Sequence, residues 1–301
     1  MKNIYIASGI LAISMAGCTT AHLPVSTPEI NTKVKDERAS EMLLGHCSRS
    51  CLLELPFKEW FLKNYADYTV DSVTAEKLIP LLKDKTIVVF MGTWCGDSRR
   101  EVPRFIKLLD HCGVPEFALK LVMVDYRDGA YKQSPQHEER GKNIFRVPTI
   151  LLYSGTKELG RIIEFPKENL EKDLLRILNG EKYQPNYGAG QLFLEKIEKN
   201  AVYSLTIDSN SIQRDFTPGF RNSFELNSIG HVLLDQGKKQ KALSAFQLNT
   251  QVFPSATQSW NGLATAYLSL GRKQEARLAV DRGLRLDASN AETKRLSQLA
   301  Q

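Results

Sequence analysis

The stretch Ile87-Val88-Val89-Phe90-Met91-Gly92-Thr93-Trp94-Cys95-Gly96-Asp97-Ser98 decides the fold. Ile87 to Phe90 is a short apolar run of β-branched and aromatic residues, which predicts a buried central strand. Arg99 to Leu109 predicts a helix, with Val102, Phe105, Ile106, Leu108 and Leu109 on or near one face. Cys95 therefore stands where a strand hands over to a helix N-terminus. Free backbone N–H groups and the helix dipole at such a position favour a thiolate.

These residues resemble the active turn of the thioredoxin superfamily. The turn reads Trp94-Cys95-Gly96-Asp97-Ser98, and Pro103 stands eight residues beyond the cysteine, where that family places a proline. Downstream, Arg146-Val147-Pro148-Thr149-Ile150 resembles the family's cis-proline loop entering the next strand. The resemblance covers residues 86–180 and implies a thioredoxin-like α/β domain, a central mixed sheet flanked by helices. Two departures bear on chemistry. The family's second cysteine is replaced by Ser98, whose hydroxyl cannot exchange with sulfur, and its buried carboxylate is replaced by Val89. Dithiol turnover through Cys95 and residue 98 is thereby excluded. A reactive Cys95 that forms mixed disulfides and a redox-dead fold that keeps Cys95 as a half-buried residue both stay open.

No other cysteine is an evident resolving partner. Cys112 lies at the far end of the same predicted helix, roughly 25 Å from Cys95 at about 1.5 Å per residue, whereas a disulfide needs Cα atoms within about 7 Å. Cys47 and Cys51 have helical i,i+4 spacing, a poor geometry for pairing with each other, and either is left as a candidate to approach Cys95. His46-Cys47-x-x-x-Cys51 lacks a second ligand pair, so no metal is assigned. No cofactor is assigned either.

The chain opens Met1-Lys2-Asn3, runs apolar from Ile4 to Met15 and reaches Ala16-Gly17-Cys18. A short basic start, an apolar segment too short for a stable span and small residues before the cut predict a secretory signal peptide over residues 1–17. Met15-Ala16-Gly17-Cys18 resembles the bacterial lipobox, which implies lipidation of Cys18 and a periplasm-facing lipoprotein. Thr19, in place of a retention aspartate, implies sorting to the outer membrane. Acyl chains at about 0.8 kcal/mol per buried CH₂ make such an anchor permanent.

Composition is that of a globular chain with room for two domains: 301 residues, 42% hydrophobic and 25% charged. The net charge of +6 is scattered among acids, which argues against nucleic-acid binding. Five cysteines, one assigned to lipid, are too few for a disulfide scaffold and enough for redox chemistry. Residues 18–35, with Pro24 and Pro28, predict a tether, and residues 36–85 a mostly helical extension whose Leu52, Phe57, Trp60, Phe61 and Tyr65 pack on the next domain. Lys120 to Asp125 predicts a second buried strand, Tyr126 to Asn143 a polar excursion, Ile150 to Phe165 a hairpin, and Leu170 to Leu178 the last helix of the domain.

Residues 181–222 predict a linker containing a helix from Gln191 to Leu205. Beyond it the chain repeats. Leu226, Ile229, Gly230, Leu233, Gly237, Ala242 and Phe246 align at a period of 34 with Trp260, Leu263, Ala264, Tyr267, Gly271, Ala276 and Val280. The pattern resembles tetratricopeptide repeats and implies an all-α module over 223–301, two repeats and a cap helix from Ala291. Two repeats are fewer than the three usually needed, so the module is expected to lean on its neighbours. Its role is a peptide groove or structural packing.

The expected function is thiol–disulfide chemistry of monothiol type, or capture of protein thiols by mixed disulfide. Cys95 is the nucleophile, Trp94 flanks the sulfur, Pro148 shapes the groove and Ser98 is placed to donate to the thiolate, while Asp97 opposes the thiolate by charge. The alternative is a non-catalytic interaction protein whose two domains bind envelope proteins. In either case the partners are proteins and, through Cys18, the membrane.

Overall fold

The computed structural model of the protein describes residues 30–36, 40–199, 216 and 219–301. The signal segment, Cys18 and most of the expected tether lie outside the described residues. The α/β part contains β1 (Thr32–Lys35), β2 (Glu41–Cys47), β3 (Lys85–Met91), β4 (Leu119–Met123), β5 (Thr149–Ser154) and β6 (Lys157–Ile163). They form one mixed six-stranded sheet in the order β1-β2-β4-β3-β5-β6. β3 runs parallel to β4, with Val89 opposite Leu121, and antiparallel to β5, with Val89 opposite Ile150.

Being central, β3 is covered on both faces, which its unbroken apolar run requires. Ile87, Val89 and Met91 enter one core with Phe105, Leu108 and Leu121. Phe90 enters the opposite core with Val122, Val124, Ile144, Val147 and Leu151. The helices of this part are α1 (Lys58–Asp67), α2 (Ser72–Leu82), α3 (Gly96–His111) and α4 (Leu170–Leu178).

The N-terminal region departs from the sequence reading. Residues 32–35, expected in a tether, form β1, and Glu41–Cys47, expected in a helix, forms β2, antiparallel to both β1 and β4. Met42, Leu43 and Leu44 are almost completely buried. A short leucine-rich run fits helix or strand equally by period, and the unpaired edge of β4 decides in favour of strand. Cys47 accordingly ends a strand while Cys51 sits in a 3-10 turn, and both thiols are free and buried.

Past α4, α5 (Gly188–Lys199) covers the start of the predicted 191–205 helix, whose remainder lies outside the described residues. There follow α6 (Ser223–Asp235), α7 (Lys239–Val252), α8 (Thr257–Ser269), α9 (Lys273–Leu286) and α10 (Ala291–Leu299). Each packs on the next, and α6 also packs on α8 and α8 on α10, so these three form one wall. This helical region shares its core with the α/β part. Phe145 and Ile163 lie in the same buried cluster as Phe193, Leu226, Ile229 and Phe246. Among the described residues, no helix is long and apolar enough to cross a membrane.

Candidate functional site at the β3–α3 turn

β3 ends at Met91, and the chain turns through Gly92 and Thr93 into α3, with Cys95 as its N-cap. The turn closes on itself through Cys95 N–H to Gly92 O at 2.9 Å, and the first helical bond runs from Arg99 N–H to Cys95 O at 3.0 Å. Gly92 is required by close approach: a Cβ there would lie 2.4 Å from the Trp94 indole. The indole is in turn anchored by Nε1–H donating to Val124 O at 2.9 Å. Thr93 Oγ1, buried, accepts the Leu43 N–H at 3.2 Å and ties the turn to β2.

The structure brings Pro148 to the turn from a residue separation of more than fifty. The Val147–Pro148 peptide is cis. Cys95 is half-buried and its thiol donates to Val147 O, with Sγ 3.2 Å from the oxygen. Ser98 is fully buried, and its hydroxyl oxygen accepts the Gly92 N–H at 3.3 Å. That bond secures the backbone of the turn and uses Ser98 as acceptor only.

Charge near the turn is largely paired. Asp97, the group expected to oppose a thiolate, faces Arg100 at 2.8 Å, and Arg100 also binds the buried Glu101 at 2.6 Å. On the other side, Trp94 packs against Tyr126 with ring centroids 5.4 Å apart. Lys132, only 5% exposed, places its ammonium 5.2 Å from the Trp94 ring and 4.3 Å from the Tyr131 ring.

The chain matches no family model, and no curated protein is significantly similar to it.

Cys112 caps the opposite end of α3, and Cys47 and Cys51 belong to the buried core below the sheet. Burial pushes the Cys47 thiol up to about 12 and the Cys112 thiol up to about 11. Neither is a thiolate near neutrality. No cluster of three metal-ligating side chains occurs among the described residues.

Sequence reasoning missed three contributors. Tyr126 and Lys132 lie in the polar excursion, where nothing in the composition marks them as partners of Trp94. Ser228 on α6 donates to Phe145 O at 2.6 Å, two residues before the carbonyl that receives the Cys95 thiol. A serine in a helix gives no sign of such a contact.

Proposed function

We propose that this chain is a lipid-anchored periplasmic protein, thioredoxin-like in its α/β part and tetratricopeptide-like in its helical region, whose Cys95 forms mixed disulfides with partner proteins. The single observation that carries the reading is the half-buried Cys95 at the α3 N-terminus, against the cis Val147–Pro148 peptide. The α3 dipole favours negative charge on sulfur there, and the Pro148 loop lies directly beside it.

The step is thiol–disulfide exchange. The Cys95 thiolate attacks one sulfur of a partner disulfide, a Cys95–partner bond forms, the partner's own S–S bond breaks, and the second partner sulfur leaves as thiolate. No net oxidation occurs. With Ser98 in place of a resolving thiol, the mixed disulfide persists until an external thiol attacks it, regenerates Cys95 and carries the partner away as a new disulfide. Capture, or slow isomerisation, fits this site better than rapid reduction.

A second reading, the non-catalytic interaction protein, is favoured by the Cys95 hydrogen bond itself: the thiol is already engaged by Val147 O within the fold. Ser98→Cys separates the two. A reactive turn gains a resolving thiol, and disulfide reductase turnover rises at least about tenfold over the wild type. An inert variant that folds normally favours the interaction protein. The anchor is tested on its own by Cys18→Ser, which is expected to move the protein from the membrane fraction to the soluble periplasm and to remove the lipid mass from the mature N-terminus.

A further inference from the structure

The sheet has two ends, and the chain enters at the one away from Cys95. Asn31 fixes the entry: its N–H donates to His46 O at 2.8 Å, and its side-chain Oδ1 accepts the Ser48 N–H at 2.8 Å. Register carries that position across the sheet. Cys47 of β2 stands opposite Leu121 of β4, Leu119 opposite Ile87 of β3, and Lys85 opposite Ser154 of β5. Met91 and the Cys95 turn lie at the other end of β3, roughly 20 Å away at about 3.3 Å per residue.

The entry end carries an apolar surface that no core absorbs. α3 ends at His111, and the chain returns to β4 through a short 3-10 turn, Glu116–Ala118, started by Pro115. Ala118 is buried and Val114 packs on the core, but Phe117 between them is 86% exposed, the most exposed large apolar side chain among the described residues. Ile79, 46% exposed, and Pro80 and Lys83 at the end of α2 line one hollow of about 390 Å3 with Pro115 and Phe117. Single exposed apolar residues are ordinary; four on one hollow, on a turn stiffened by proline, form a contact surface. Its charge is balanced, Lys83 and Lys85 against Asp84 and Glu116, so no field selects a charged partner. Such a surface fits a bilayer interface. Aromatic and aliphatic side chains enter the acyl region, and lysine stems lie along them with their ammonium groups among the headgroups.

We propose that this end of the sheet rests on the membrane through Phe117 and Ile79, so that the Cys95 turn points away from the bilayer toward soluble partners. The proposal rests on the reading of Cys18 as the lipidated residue. Ile30 follows Cys18 by twelve positions, a reach of at most about 40 Å. Because the chain enters the fold at the Phe117 end, that end meets the bilayer without the tether running back along the sheet. The acyl chains supply permanence and the patch supplies orientation. A contact too weak to hold the free protein suffices once the anchor raises its effective concentration.

The test places the lipidated full chain in vesicles of phosphatidylethanolamine and phosphatidylglycerol and compares its amide hydrogen exchange, read by mass, with that of the soluble Cys18→Ser chain. Residues 79–85 and 113–120 are expected to exchange about fivefold more slowly on the vesicles, at low and high salt alike, with residues 93–99 unchanged. Phe117→Asp, at an exposed position, should restore the solution rate in both segments while the protein still floats with the vesicles and unfolds as the wild type does. A floating wild type whose residues 113–120 exchange as in solution overturns the docking and leaves the anchor standing. Slowed exchange that survives Phe117→Asp overturns the docking as well. A wild-type chain that carries no lipid mass and does not float removes the anchor reading, and the docking with it. Slow exchange of 113–120 in the soluble form that deepens with protein concentration assigns the patch to a second copy and overturns the proposal.

Discussion

Cys95 and Cys112 bracket one helix, and their surroundings divide them chemically. Cys95 is the N-cap of α3 and half-buried; Cys112 is its C-cap, buried, with Sγ 3.7 Å from Ala75 O. Burial raises the Cys112 thiol to about 11 from an ordinary 9.0, and the carbonyl end of the helix dipole disfavours negative charge as well. A folded-state value above the unfolded one contributes stability that is whole below pH about 9 and is lost as pH rises through 11. Wild-type stability to urea is therefore expected to fall between pH 9 and 11, and Cys112→Ala to remove up to about 2–3 kcal/mol of that fall. In the folded protein at pH 8, a small alkylating probe should modify Cys95 well before Cys112 or Cys47. Equal rates for the three, followed by peptide mass mapping, would end the case for a distinct site at Cys95.

That contrast was legible from sequence, since strand-to-helix position and helix length are both periodicity statements. The partner of the Cys95 thiol was not. Val147 O reaches sulfur only because β3 and β5 pair with Phe90 opposite Thr149, which brings the Pro148 loop across the end of β3. Likewise the bond that Ser98 accepts from Gly92 N–H could not be read from sequence, because it depends on the complete burial of Ser98 beneath the turn.

Among the elements, α3, β3, the β5–β6 hairpin and α4 announce themselves by pattern, and the repeat at a period of 34 places the later helices. Gly230 shows why that pattern is demanding: a Cβ there would come within 2.3 Å of the Phe246 ring, so α6 and α7 meet only through glycine. β1 and β2 were illegible because a strand at a sheet edge is specified by its neighbour, and β4 was not yet in place to specify it. The same blindness hid the contact between α6 and the Pro148 loop. Ser228 Oγ–H is the buried donor to Phe145 O, and Ser228→Ala leaves that carbonyl without it, at a cost of about 1–3 kcal/mol. We expect Ser228→Ala to loosen residues 145–147 and raise the alkylation rate of Cys95, with Ser228→Thr close to wild type because it keeps the hydroxyl. An alanine variant that is destabilised but unchanged in Cys95 reactivity would make the contact purely structural.

At the scale of the whole molecule, two parts that sequence separates at residues 181–222 share one apolar cluster. Phe145 and Ile163 come from the α/β part and are each 1% exposed, covered together with Leu226, Ile229 and Phe246 of the helical region. Polar contacts follow the same seam. Glu225, buried, accepts the Gly190 N–H at 2.7 Å and the Arg221 N–H at 2.8 Å, and Arg146 pairs with Glu164 at 2.9 Å while its guanidinium lies 4.7 Å from the Tyr187 ring. The helical region thus shares its buried core with Phe145, from the loop that also carries Val147 and Pro148 to Cys95. A chain ending at residue 222 would expose Phe145, Ile163 and the apolar face of α5. Uncovering the first two side chains alone costs about 3–6 kcal/mol, a large share of the stability of an ordinary domain. The full chain is expected to unfold in urea in a single transition seen alike by tryptophan fluorescence and circular dichroism. The truncated chain should unfold at markedly lower urea and be cut by trypsin at Lys142 or Arg146, beside the uncovered Phe145. A truncated chain with an unchanged midpoint and a protected loop would show that the α/β core stands alone, and would leave the helical region no means of reaching Cys95 through the Pro148 loop.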